Sequence, residues 1–170
     1  MNILKCVFLL FFLYCTGESF GQHLDFSSAV IWTNQNKKLP LDKPVQVLRE
    51  EIAKRTHLLL PQVSKQPEVG TPVIYIITDD RESKLPKFVR ESLGAVAVPG
   101  NEGFRLMVLK EQQAILITAK DARGVLYGVG RLLRKADMRP GSLLVPDNLL
   151  VATAPKYSIR GHQLGYRPKT

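Results

Sequence analysis

Residues 73–78 read VIYIIT, six uncharged residues of high strand propensity in a row. A strand with one wet face alternates apolar and polar side chains, and this one does not. Such a run belongs at the centre of a sheet that is covered on both faces. The flanking chain supplies the cover. Ala29–Thr33 (AVIWT) reads as a short strand. Asp42, Lys43 and Pro44 then start a helix, because proline fits the first turn and an acid there complements the dipole. Leu48, Ile52 and Ala53 share one face of that helix as far as about Leu58. Glu50 and Glu51 stand four residues ahead of Lys54 and Arg55 on its wet side.

After the central run the spacing predicts a short helix around Lys87–Leu93. Gly100–Gly103 opens a hairpin in which Phe104, Leu106 and Val108 alternate with Arg105. Lys110–Gln113 is its turn, and Ala114–Ala119 is the returning strand. Asp121 is placed to cap a helix in which Ala122, Val125, Leu126, Val129, Leu132 and Leu133 follow helical spacing through to Arg134 and Lys135. Ser142–Val145 reads as a late strand before Pro146. The order β-α-β-(α)-β-β-α-β predicts an α/β (α+β) fold, a mixed sheet with helices packed on it.

The N-terminus bears on compartment. Lys5 precedes the apolar run Cys6–Cys15, and Ser19 and Gly21 stand at the −3 and −1 positions of a cut before Gln22. That is the pattern of a cleaved signal peptide over residues 1–21. The run is ten residues long, and a spanning helix needs roughly 20. The expected product is exported, periplasmic or extracellular, with no stable membrane anchor. Its two cysteines, Cys6 and Cys15, leave with the signal, so the remaining core must hold without a disulfide. About 150 residues remain, enough for one domain with a real core. The net charge of +9 comes from bases scattered among acids. A nucleic-acid partner would instead call for a clustered basic face.

Several constellations invite a chemical reading. Gly124, Gly128 and Gly130 have the GxxxGxG spacing of some dinucleotide sites, but the helical pattern already begins at Ala122, so they lie inside a helix. Packing against the sheet is the better account, and no cofactor is expected. Asp79, Asp80 and Glu82 end the central strand. Glycoside cleavage needs two carboxylates facing each other across a sugar, and adjacent aspartates point apart. His23, His57 and His162 have no partner at ligand spacing, so no metal site is expected, and no serine sits in a nucleophile elbow. No catalytic residue is assigned. The tail from Ala154 to Thr170 gathers Arg160, His162, Gln163, Tyr166 and Arg167, groups that bind sugars or anions, behind an approach (Pro155, Tyr157, Ile159) that reads as a new strand.

Two motifs, Asp121-Ala122-Arg123-Gly124-Val125-Leu126-Tyr127-Gly128 and Arg160-Gly161-His162, carry a family resemblance. The chain resembles the N-terminal domain of α-glucuronidases, which is similar to the second, non-catalytic domain of β-N-acetylhexosaminidases. In both, D-x-R-G-x-x-Y-G opens a long helix after a hairpin, and an R-G pair soon afterwards starts the catalytic (β/α)8 barrel. The resemblance implies an accessory α/β domain over residues 22–153 and the start of a barrel over 154–170. It implies that Arg160 reaches a carbohydrate substrate, while the acid and base lie in a barrel beyond this sequence. The expected function is that of a non-catalytic N-terminal domain, a fragment of a secreted glycoside hydrolase. The alternative is a free-standing exported binding domain for acidic glycans.

Overall fold

The structure is a computed structural model and describes residues 22–34, 41–68, 70–78, 85–97 and 99–157. Residues 1–21, where the signal peptide is expected, the acids Asp79, Asp80 and Glu82, and Arg160 and His162 lie outside the described residues. The strands are β1 (His23–Asp25), β2 (Val30–Thr33), β3 (Gln62–Val63), β4 (Val73–Thr78), β5 (Phe104–Leu109), β6 (Ala114–Ala119), β7 (Asp137–Arg139), β8 (Ser142–Pro146) and β9 (Leu150–Thr153). Three helices join them: α1 (Asp42–Thr56), α2 (Lys87–Gly94) and α3 (Ala122–Lys135).

Six strands form one mixed sheet in the order β3-β2-β4-β6-β5-β9. β2 runs parallel to β3 and β4, and β4 is parallel to β6. β5 is antiparallel to both β6 and β9. Every residue of β4 is buried, as the VIYIIT run demands. Its even and odd residues serve different cores. Ile74 and Ile76 join Ile31, Leu106, Ile115 and Ile117 beneath Val45, Leu48 and Ile52 of α1 and Val125, Val129, Leu132 and Leu133 of α3. Tyr75 and Ile77 join Trp32, Met107 and Leu116 beneath Val89 and Leu93 of α2. Each fully buried isoleucine contributes roughly 1.5–3 kcal/mol of transfer free energy. The central strand therefore lies in the middle of three layers, with α1 and α3 on one face and α2 on the other.

A second sheet, β1-β8-β7, closes the α1 and α3 side, and its Leu143 and Val145 enter the same core. It is tied to α1 where the Gly141 N–H donates to the Thr56 carbonyl at 2.7 Å. His57, just past α1, takes a left-handed φ of 61° that turns the chain back toward the sheet.

The structure departs from the sequence pattern at Arg105. Alternation with Phe104 and Leu106 puts it on the opposite face of β5, which is covered by α2, so the side chain is only 2 % exposed. Burial of a guanidinium requires partners, and the fold supplies them. Nε donates to Thr118 Oγ1 at 2.9 Å, and Nη1 donates to the Leu93 and Val96 carbonyls at 3.0 Å each. Arg105 thus caps the carbonyl end of α2, where a positive charge complements the helix dipole. The short strands β1, β3, β7 and β9 carry no periodic pattern long enough to read from sequence.

Candidate functional site

The D-x-R-G-x-x-Y-G segment opens α3, and its Asp, Arg and two Gly residues join the helix to the hairpin and the sheet. Asp121 caps the helix through Oδ1, which accepts from the Gly124 N–H at 2.8 Å. Its second oxygen, Oδ2, accepts from the Glu102 N–H at 2.7 Å, which fixes the hairpin entrance to the helix start. Glu102 has a left-handed φ of 58°, a conformation that costs an ordinary residue energy unless neighbours hold it. Arg123 completes the clamp by pairing with the Glu102 carboxylate at 2.8 Å.

The glycines give space to the sheet. A Cβ on Gly124 would overlap the Gly103 carbonyl oxygen and stand 2.8 Å from Ala119 Cβ. A Cβ on Gly128 would stand 2.6 Å from Ile117 Cγ2. The space that a pyrophosphate would need is thus filled by β5 and β6, as the packing account expects. Gly130 differs, since a Cβ there meets only the Arg134 guanidinium, at 3.4 Å.

Tyr127 stands at the solvent edge of α3. It is 42 % exposed and lines a groove of about 340 Å³ with Glu102, Phe104, Arg134, Thr153, Ala154 and Pro155. One wall is the α3 face, and the other is the end of β9 where the chain leaves the sheet. An amphipathic ring, a guanidinium and a threonine hydroxyl on an apolar floor can hold either a polar ligand or another part of a protein. Sequence reasoning gave Tyr127 and Glu102 no site role. The available signal was an aromatic residue standing off the buried stripe of α3.

The other candidates fall as follows. His23 lies in β1 and His57 at the end of α1, both exposed and far from the groove in the chain. Among the described residues no group of His, Cys, Asp and Glu is gathered to hold a metal, and no described helix is long and apolar enough to cross a membrane. At the C-terminal ends of β2 and β4, the Asn34 amide donates to the Thr78 carbonyl at 2.9 Å and accepts from the Thr78 N–H at 3.3 Å. That exchange joins the two strand ends where the segment holding Asp79, Asp80 and Glu82 begins.

Solved structures carry this architecture. The chain superposes on the GH20 β-N-acetylhexosaminidase from Streptomyces coelicolor A3(2) with a TM-score of 0.54 at 20% identity, covering 81% of this chain and 24% of that one. It superposes on BtGH115A, a GH115 4-O-methyl-α-glucuronidase with specificity for decorated arabinogalactans, with a TM-score of 0.52 at 12% identity, covering 78% and 18%. CpGH84B gives a TM-score of 0.55 at 15% identity, covering 82% and 21%. This fold occurs within glycoside hydrolases. The expected resemblance to hexosaminidases and α-glucuronidases is present in the fold. The chain spans a quarter or less of the length of these structures. No family model matches it, and no curated protein matches it.

Proposed function

We propose that this hexosaminidase-like domain is the exported, non-catalytic N-terminal domain of an α-glucuronidase-like glycoside hydrolase. The observation that carries the proposal is the lopsided coverage. About four-fifths of this chain superposes on a quarter or less of each hydrolase, while its most distinctive motif is spent on joining α3 to the hairpin. A domain whose motif residues join its own elements is suited to holding a neighbour in place, and the groove beside Tyr127, at the end of β9, is suited to receive that neighbour. Residues 1–21 serve as the export signal. The first described residue after them, Gln22, is anchored by its carbonyl, which accepts from Asp147 N–H at 2.8 Å, and by its side chain, which accepts from Lys110 Nζ at 2.7 Å.

Within this proposal residues 154–170 open a (β/α)8 barrel that supplies the acid and base, and Arg160 orients the carbohydrate. A guanidinium can donate several hydrogen bonds to hydroxyls or fork onto a uronate carboxylate. The test extends the polypeptide through whatever the reading frame encodes after Thr170. Hydrogen exchange at Tyr127, Thr153 and Ala154 should slow in the extended protein relative to the 170-residue chain. Arg160→Ala should lower its turnover of glucuronate-bearing xylo-oligosaccharides or aryl β-N-acetylhexosaminides. A reading frame that stops at Thr170, with specific binding of acidic glycans by the chain itself, would favour the free-standing binding domain.

A further inference from the structure

A second groove lies on the far side of the sheet from β9, between α1 and the edge strand β3. Its volume is about 370 Å³, and it is lined by Asp42, Val45, Gln46, Arg49, Glu50, Ala53, Leu59, Leu60 and Gln62. We propose that this α1–β3 groove binds a neutral oligosaccharide. The proposal concerns the described domain alone and does not depend on the accessory role above.

Order in the polar wall is the first ground. Arg49 Nε donates to the Leu60 carbonyl at 3.1 Å, which steers the guanidinium over the groove. Among the described residues Arg49 forms no ion pair, so its remaining N–H groups are available to a ligand. Gln46 is held from both sides, donating to Glu50 Oε1 at 2.6 Å and accepting from Lys43 Nζ at 3.3 Å. The apolar wall is the second ground. A single exposed leucine is ordinary, but Leu59, at 82 % exposed, stands beside buried Leu60 where the left-handed His57 has turned the chain. Its methyl groups form a ledge against which the C–H face of a sugar can lie.

The chemistry of the lining selects the ligand. Hydroxyls both donate and accept, and the groove offers donors on Arg49, acceptors on Asp42 and Glu50, and both kinds on Gln46 and Gln62. The Asp42 and Glu50 carboxylates offset Arg49 and the Lys43 ammonium beside Gln46, so the groove has no net positive charge to favour an acidic glycan. An extended peptide would need a long run of open strand edge, and β3 offers only Gln62–Val63 beside Pro61. The volume falls at the small end of ligand clefts, roughly 300–1,000 Å³, which suits one or two sugar rings.

The test is an amide and side-chain NMR titration of the full chain with chitotetraose, xylotetraose and tetragalacturonate. At least one neutral tetrasaccharide should bind saturably, with shifts confined to Gln46, Arg49, Leu59, Leu60 and Gln62. Arg49→Ala should weaken binding roughly tenfold, the loss expected for a charge-assisted hydrogen bond. Gln46→Ala, at an exposed position with no core role, should weaken it while leaving the spectrum beyond its partners Lys43 and Glu50 unchanged. Absence of shifts with both neutral sugars overturns the proposal. So does tighter binding of tetragalacturonate, unchanged affinity in Arg49→Ala and Gln46→Ala, or binding of an extended peptide in their place.

Discussion

Replacing Gly128 with alanine adds one methyl group to α3 and sets two effects against each other. Alanine gains about 1 kcal/mol of helix propensity over glycine. The new Cβ, however, would lie 2.6 Å from Ile117 Cγ2 and 3.4 Å from Phe104 Cδ2. Ile117 is β-branched, fully buried and in a strand paired on both sides, so its methyl cannot swing away cheaply. Overpacking of this kind costs about 1–3 kcal/mol, which leaves a net loss of up to about 2 kcal/mol. For a domain of this size that lowers Tm by up to about 8 °C. Gly124→Ala should fall further, because its Cβ meets a backbone carbonyl that has nowhere to go. Gly130→Ala is the control. Its Cβ meets only the tip of a flexible arginine, so Tm should rise by about 4 °C. Thermal melts of the three variants decide the matter. If Gly124→Ala and Gly128→Ala melt at or above Gly130→Ala, the glycines do not mark close contact between α3 and the sheet.

Three further perturbations follow from the contacts. Asp121→Ala removes both the α3 cap and the acceptor for Glu102 N–H, and urea melts should show a loss of about 2 kcal/mol. Asp121→Asn, with one acceptor oxygen, should fall between. Arg105→Met strands the Leu93 and Val96 carbonyls and the Thr118 hydroxyl at about 1 kcal/mol each, so α2 amides should lose exchange protection before those of α1. The Ser27 hydroxyl and then its N–H, both donating to the carboxylate, hold the Asp25 pKa below its ordinary 3.8. Its folded pKa is therefore the lower one, so the carboxylate stabilises the fold above the unfolded value and that contribution fades as pH falls through the folded value. The stability gap between wild type and Asp25→Asn should be flat above about pH 4 and close below it.

The longest elements were legible in the sequence because their patterns are locally determined. VIYIIT has no polar residue before its last, and α3 follows helical spacing for its whole length, so burial and period fix both. The glycine strip was legible for the same reason, since Ala122 already starts the helix pattern. Arg105 was not, because its burial depends on α2 lying across that face of β5, which no spacing within the hairpin encodes. The edge strands β3 and β9 owe their existence to pairing with β2 and β5. Tyr127 escaped notice because its exposure beside the end of β9 depends on how α3 and β9 lie on the sheet, which no spacing within the helix encodes.

The central proposal is that this domain supports a glycoside hydrolase without carrying out its chemistry. Glycoside cleavage needs a protonated acid at the leaving oxygen and a second carboxylate across the sugar. Among the described residues the Glu102 carboxylate is paired with Arg123, and Asp121 is committed to two backbone N–H groups. The most direct measurement is turnover by the purified 170-residue chain on aryl β-N-acetylhexosaminides and glucuronate-bearing xylo-oligosaccharides. The account predicts none above a buffer blank. Turnover that persists through purification and disappears in Asp79→Asn would contradict it, by placing a working acid at the end of β4.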